Sequence, residues 1–314
     1  MTITQFQLRY CPALAQKPKL SLAESGDGVT TRKADPFENP PADLLIAALP
    51  SKEPSHILVL NKYPVIPNHS IIATKTSKPQ THLLEEDDLA ITHACLGAWS
   101  EGSSHDSPQR LFAFFNSGEH SGASQAHRHL QFLPFEDMAS SATTQGEWEL
   151  LIDKMTHPLP GRAHLLHNPL LPFRHYALRF PPQSSSTELH QTYLTLYRTA
   201  VEAVQDFDLQ QLANEQSKNM DPADSAVAAI SYNLAMTVDM MAICPRRSES
   251  ASIPSSGGEG SVAVNGTIFA GTLMVKDKVE WDSLRQDPDL LNDLLSTVGY
   301  PIDRIRSEDG NNKL

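Results

Sequence analysis

Short apolar runs bounded by proline, glycine and polar clusters alternate along this chain with longer stretches whose apolar positions recur at helical spacing. HILVL (His56 to Leu60) and SIIATK (Ser70 to Lys75) predict two strands. The connecting NKYPVIPNH holds two prolines, which forbid regular pairing inside it. EEDDLAITHACLGAW (Glu85 to Trp99) opens on acidic residues and continues at helical period, so it predicts a helix, and GSSHDSP after it a loop. LFAFFN (Leu111 to Asn116) and HRHLQFL (His127 to Leu133) predict the next two strands. EWELLIDKM predicts a helix, HYALRF (His175 to Phe180) a strand, and Thr187 to Phe207 a long helix. In that long helix Leu189, Tyr193, Leu196, Ala200 and Val204 form one apolar stripe. SYNLAMT, MMAICP and FAGTLMVK predict strands, and DPDLLNDLLSTVG a terminal helix. RRSESASIPSSGGEGS reads as a Ser/Gly-rich loop without core-forming residues. Strand pairs separated by single helices, with no regular βαβ alternation, predict an α+β fold: a mostly antiparallel sheet with flanking helices.

Composition narrows the function classes. The chain has 314 residues, 40% of them hydrophobic and 20% charged, enough for one large domain or two modest ones. A net charge of −12 argues against general nucleic-acid or anionic-membrane binding, while leaving room for a local phosphate site. Cys11, Cys95 and Cys244 are far apart and form no CxxC pair, so neither a disulfide framework nor a zinc ribbon is indicated. No basic segment followed by an apolar one opens the sequence, and no apolar run approaches the ~18 residues of a membrane span. The expectation is a soluble protein of the cytoplasm, with the nucleus also open to it.

The chemistry concentrates in FFNSGEHSGASQAHRHLQFLP, Phe114 to Pro134. His127, His129 and Gln131 sit two apart, which on a strand puts all three on one face. The loop before them sets Ser117, Gly118, Ser121, Gly122 and Ser124 where backbone N–H groups and hydroxyls can converge on phosphate oxygens. It is not a GxxxxGK[ST] loop, since no lysine follows the glycines. An HxH pair can also chelate a metal, but His164, His167 and His175 offer no defined spacing for further ligands. An imidazole beside bound phosphate can act as a nucleophile through one nitrogen while the other donates to a fixed acceptor.

NSGEHSGASQAHRHLQFLP resembles the signature of the fungal diadenosine tetraphosphate phosphorylases (ATP adenylyltransferases), within the histidine-triad-like superfamily. FQLRYCPALAQKP, DPFENPP, LVLNKYPVIPNHSIIATK, LPFRHYALRF and SYNLAMT…PRR resemble further family segments in the same order, so the resemblance spans nearly the whole chain. The HxHxQ form is shared with galactose-1-phosphate uridylyltransferases, and the flanking segments favour the adenylyl branch. The resemblance implies a histidine-triad-like nucleotidylyltransferase architecture, with residues 1–165 as the region carrying HxHxQ and 166–314 as an ATP adenylyltransferase region. It implies His129 as nucleophile, His127 as its support and Gln131 as a donor to the transferred phosphate. It further implies that Asn116, Ser117, Gly122, Ala123, Ser124 and Gln125 hold phosphates and ribose; Lys62, Lys75 and Lys276 fall in matching segments, either as phosphate anchors or as ordinary exposed lysines.

The implied reaction is phosphorolysis of diadenosine tetraphosphate to ATP and ADP through an adenylylated histidine, with Mg²⁺ as the expected divalent cation. The implied partners are small-molecule nucleotides and phosphate, with no nucleic acid and no membrane. One departure stands out. After SYNLAMT a basic residue and a tryptophan are expected, where this chain has Val238, Asp239 and Met240; Asp239 adds a negative charge near the polyphosphate path if that segment lies there. Two alternatives stay open on sequence: a catalytically weakened relative that only binds adenine nucleotides, and an HxH metal protein of another reaction class.

Overall fold

The computed structural model describes residues 6–16, 35–102, 109–140, 148–211, 226–255 and 258–302. Its first half runs β1 (Gln7–Tyr10), β2 (Leu45–Leu49), β3 (His56–Leu60), β4 (Ser70–Thr74), α1 (Glu86–Glu101), β5 (Leu111–Ser117), β6 (His129–Pro134) and α2 (Phe135–Ala139). There follow β7 (His157–Leu159), β8 (Arg162–His167), β9 (Tyr176–Arg179), α3 (Ser186–Gln211), β10 (Tyr232–Met236) and β11 (Met240–Pro245). The chain then forms β12 (Ser250–Ser255), β13 (Gly258–Ala263), β14 (Thr272–Val275), α4 (Lys278–Gln286) and α5 (Asp289–Val298). Ten strands make one sheet in the order β2-β3-β4-β6-β5-β10-β11-β9-β8-β7. Every ladder in it is antiparallel. The α+β class expected from the sequence is the one observed.

Alternation along the central strands builds two cores. On β5, Leu111, Ala113 and Phe115 point to the side covered by α1 and α3, where Leu89, Leu96 and Leu189, Tyr193, Leu196 and Ala200 of the predicted α3 stripe are buried. Phe112 and Phe114 point to the other side, against Met138 of α2, Val264, Phe269 and the C-terminal helices. Each large apolar side chain so buried contributes roughly 1.5–3 kcal/mol, and the period-2 pattern fixes which face each one takes. Helix α1 starts where a capping box forms: the Glu85 N–H donates to Asp88 Oδ2 at 2.7 Å. Among the described residues no helix is long and apolar enough to cross a membrane.

Four expectations need correction. The Ser/Gly-rich stretch is a hairpin, β12 on β13, with Ala251, Ile253 and Val262 buried in the core; serine-separated single apolar residues at period 2 were the signal. In FAGTLMVK the strand is shorter than expected: Phe269 and Ala270 close a 3-10 turn, Gly266–Ala270, and β14 takes only Thr272–Val275. EWELLIDKM yields only the 3-10 turn Leu151–Lys154. The strand expected from His127 begins at His129, and His127 makes an isolated bridge to Pro79. Most of the GSSHDSP loop lies outside the described residues. The pairing of β1 with β14, parallel and in register from Gln7↔Thr272 to Tyr10↔Val275, had no sequence signal.

Candidate active site

Strand β6 enters the sheet between β4 and β5, with His129 opposite Ala73 and Gln131 opposite both Ile71 and Phe114. His129 and Gln131 therefore share a face, as the alternation predicted. The β5–β6 ladder ends at the Phe114↔Gln131 pair. Beyond it the Gln80 side chain takes over: Nε2 donates to Asn116 O at 2.7 Å and to His129 O at 3.2 Å, while Oε1 accepts from His129 N–H at 2.8 Å. One buried amide thus replaces the missing rungs and holds Asn116 opposite His129.

The tautomer of His129 follows from its neighbours. Nδ1 lies 2.8 Å from the His127 carbonyl, which can only accept, so Nδ1 carries the proton and Nε2 keeps its lone pair. The ring is 3% exposed and packs on Phe37, centroids 5.3 Å apart. Burial pulls its pKa down from 6.5 to about 4, so near neutral pH it is an uncharged imidazole.

His127 faces acceptors at both nitrogens: Asp35 Oδ2 at 2.7 Å from Nδ1, and Thr74 O at 2.7 Å from Nε2. Burial would raise the Asp35 carboxyl, but the Phe37 N–H and the His127 ring outweigh it and hold it below the usual carboxylate range. The turn carrying Asp35 and Phe37 therefore lies across both imidazoles. Gln131 Oε1 accepts from His69 Nε2–H at 3.1 Å, and His69 Nδ1 accepts from the Asn61 amide at 3.0 Å. That chain occupies the oxygen of Gln131 and leaves its NH₂ as the end able to donate to a ligand.

The loop after β5 is partly structural and partly open. Ser117 is fully buried and its hydroxyl donates to Gln80 O, so that side chain braces the turn and is not turned toward a ligand. Gly122 has φ +79, and a Cβ there would stand 2.9 Å from both Asn265 Cβ and Val264 O. Ala123 and Gln125 are half-buried and Ser124 is exposed, on the approach to His127. Asn116 Oδ1 accepts from Asn233 Nδ2 and Gly266 N–H, both at 2.9 Å.

The lysines are not drawn in. Lys62 is exposed with its ammonium over the Tyr63 ring, Lys75 is exposed after β4, and Lys276 is half-buried after β14. Among the described residues none of them bonds to His127, His129 or Gln131. Asp239 is a correction. It sits in the turn between β10 and β11, beyond Met236↔Ala113 and so at the far end of the strands from Asn233↔Asn116. There it pairs with Arg179 at 2.8 Å. No group of three His, Cys, Asp or Glu side chains that could hold a metal exists among the described residues, so nothing favours the HxH metal reading. Sequence reasoning missed Asp35, Phe37, Asn61, His69 and Gln80. The first four lie in DPFENPP and NKYPVIPNH, segments it had singled out, whereas Gln80 carried no signal.

A neutral imidazole with a fixed tautomer, set beside amide donors and a small-residue loop, is equipped to take a phosphorus centre from a nucleotide. The comparisons agree with that class. Residues 2–146 match the Ap4A phosphorylase N-terminal domain and residues 169–301 the ATP adenylyltransferase C-terminal domain. Diadenosine 5′,5‴-P1,P4-tetraphosphate phosphorylase 2 of Saccharomyces cerevisiae is 29% identical over 96% of this chain and 85% of its own. The crystal structure of yeast Ap4A phosphorylase Apa2 in complex with Ap4A is similar at 25% identity and TM-score 0.67, covering 94% of this chain and 84% of that one. The same yeast protein in complex with AMP gives TM-score 0.64 at 26% identity, over 86% of this chain and 83% of that one. The chain belongs to the Ap4A phosphorylase family, nucleotidyltransferases of the ATP adenylyltransferase type.

Proposed function

We propose that this protein phosphorolyses diadenosine tetraphosphate to ATP and ADP through an adenylylated His129. The observation that carries the mechanism is the His129 Nδ1–H bond to the His127 carbonyl, which leaves Nε2 as the free nucleophilic nitrogen. In the first half-reaction Nε2 forms a bond to the α-phosphorus. The bond from that phosphorus to the bridging oxygen breaks, and ATP leaves with the electron pair. In the second, an oxygen of inorganic phosphate attacks the same phosphorus, the P–N pair returns to Nε2, and ADP departs. Burial keeps the attacking ring uncharged, so no proton has to be removed first.

Gln131 would donate to a non-bridging oxygen of the transferred phosphate, oriented by His69 and Asn61. A Gln amide cannot titrate or activate water. Water is therefore a poor competitor, and the already anionic phosphate is the acceptor. The divalent cation in this reading is Mg²⁺ travelling with the polyphosphate: among the described residues the chain offers no carboxylate cage for a resident ion. A cytoplasmic location is part of the same reading.

The test is single-turnover chemistry. With phosphate omitted, the protein should release ATP in a burst near one per active site and retain AMP on histidine. Adding phosphate should discharge it as ADP. His129→Ala should lower turnover by on the order of 10⁴ or more without unfolding the protein. Sustained AMP release without phosphate, or a His129→Ala variant near parent activity, would sink the mechanism.

A further inference from the structure

A chain of buried amides runs from the C-terminal half of the molecule to the nucleophile's neighbour. Arg246 is 2% exposed. Its Nε donates to Val298 O, and its Nη2 to Ser248 O, Glu249 O and Val264 O. Its Nη1 donates to Asn233 Oδ1. A guanidinium has donors only, so Asn233 must present its oxygen to Arg246 and its NH₂ to the other side. That NH₂ lies 2.9 Å from Asn116 Oδ1 and 2.8 Å from Ser121 O. The Gly266 N–H, also a donor, lies 2.9 Å from the same Asn116 oxygen.

The orientation of both amides is therefore fixed by chemistry and not by a choice between similar atoms. What remains is Asn116 Nδ2. It belongs to a side chain 1% exposed, and it has no hydrogen-bond partner in the described structure. Asn116 stands opposite His129 across the Gln80 clamp, on the face that carries Gln131. A buried N–H without a partner is a rare and costly feature, and a ligand oxygen would satisfy it.

We propose that Arg246, acting through Asn233, sets the polarity of the Asn116 amide so that its NH₂ faces a phosphate oxygen of the nucleotide beside His129. Arg246 and Asn233 are positioning residues, more than a hundred residues along the chain from the group they orient. The inference rests on the nucleotide reading of the site, and it separates a bound nucleotide's anionic oxygens from any ligand that offers donors there. It also explains why Gly266 is glycine: a Cβ at this position would meet Asn116 Oδ1 at 2.9 Å and the Phe114 ring at 2.8 Å.

A double-mutant cycle on ATP affinity, measured by calorimetry, tests it. Asn116→Ala should weaken ATP binding roughly tenfold, the range of one charge-assisted hydrogen bond. Asn233→Ala should weaken it by a similar factor, and the double variant no further than Asn116→Ala alone, because Asn233 acts through Asn116. Should Asn233→Ala fail to fold, Asn233→Ser replaces it, with a hydroxyl that can accept from Arg246 but is too short to reach Asn116. Arg246→Met should behave like the Asn233 variant, whereas Arg246→Lys, with one ammonium where a fork engages acceptors at all three nitrogens, should recover only part of the parent's ATP affinity. A scaffold-only role would lower the melting temperature and leave affinity unchanged. Parent-like affinity in the Asn233 variant, or losses that multiply in the double variant, would overturn the proposal. A parent protein that binds ATP with this coupling but does not phosphorolyse the dinucleotide would overturn the proposed reaction and leave the inference standing.

Discussion

Acid should expose the neutral state of the buried nucleophile. Burial pulls the His129 pKa from 6.5 to about 4, so between those values the unfolded chain takes up a proton that the folded protein refuses. The sign follows from the depressed value: the stability resting on the neutral ring is complete above pH 6.5 and is lost as pH falls toward 4. From pH 7 to pH 5 this one ring should cost about 2 kcal/mol. His175 has the same sign and a pKa of about 4. Its Nδ1–H donates to Phe173 O and its Nε2 accepts from Asn168 N–H, so only the uncharged ring fits. Urea unfolding at pH 7 and pH 5 for the parent, His129→Gln and His175→Gln separates the two, since all other titrating groups cancel in the differences. Each variant should lose about 2 kcal/mol less than the parent over that interval. Parallel pH dependences for parent and His129→Gln would refute a buried neutral ring, and with it the claim that Nε2 needs no base.

Two further outcomes follow from the geometry around the site. Gly122→Ala should destabilise the protein by about 1–2 kcal/mol from backbone conformation alone, and more from the contact with Asn265 and Val264 O; a melting temperature equal to the parent's would show that the loop relaxes freely. Asp239→Lys should leave the Michaelis constant for the dinucleotide unchanged even at low salt, because Asp239 pairs with Arg179 at the far end of the strands; a lowered constant would place the polyphosphate there after all.

The parts legible in the sequence were those where one local pattern decided the outcome. β3 was read to its exact ends, and α1 and the α3 stripe followed from capping chemistry and helical period. The HxHxQ alternation is enough to place His129 and Gln131 on one face. What stayed hidden depends on contacts between distant residues. β12 and β13 carried only a faint period-2 signal among their serines and glycines, and Ala251, Ile253 and Val262 are buried because the rest of the molecule covers them. Gln80 acts on Asn116 and His129, and Arg246 on Asn233, by side-chain hydrogen bonds that no periodicity announces. The burial that makes His129 neutral is likewise a property of the packing, in which Phe37 lies against the ring.

The seam between β5 and β10 has a consequence for how the chain is made. The strand opposite the nucleophile finds its other neighbour only when Asn233 pairs with Asn116. β1 waits longer still, for Thr272, 265 positions further on. At roughly 5–20 residues per second, a ribosome leaves the β5 edge bare for some seconds and the β1 edge for longer. Contacts so far apart also slow folding after release. Throughout that interval the finished histidine strand lies beside an open apolar edge, the kind of surface to which chaperones bind. Synonymous changes that slow translation between Ser117 and Tyr232 would therefore lower the yield of soluble protein without altering a single residue of the site.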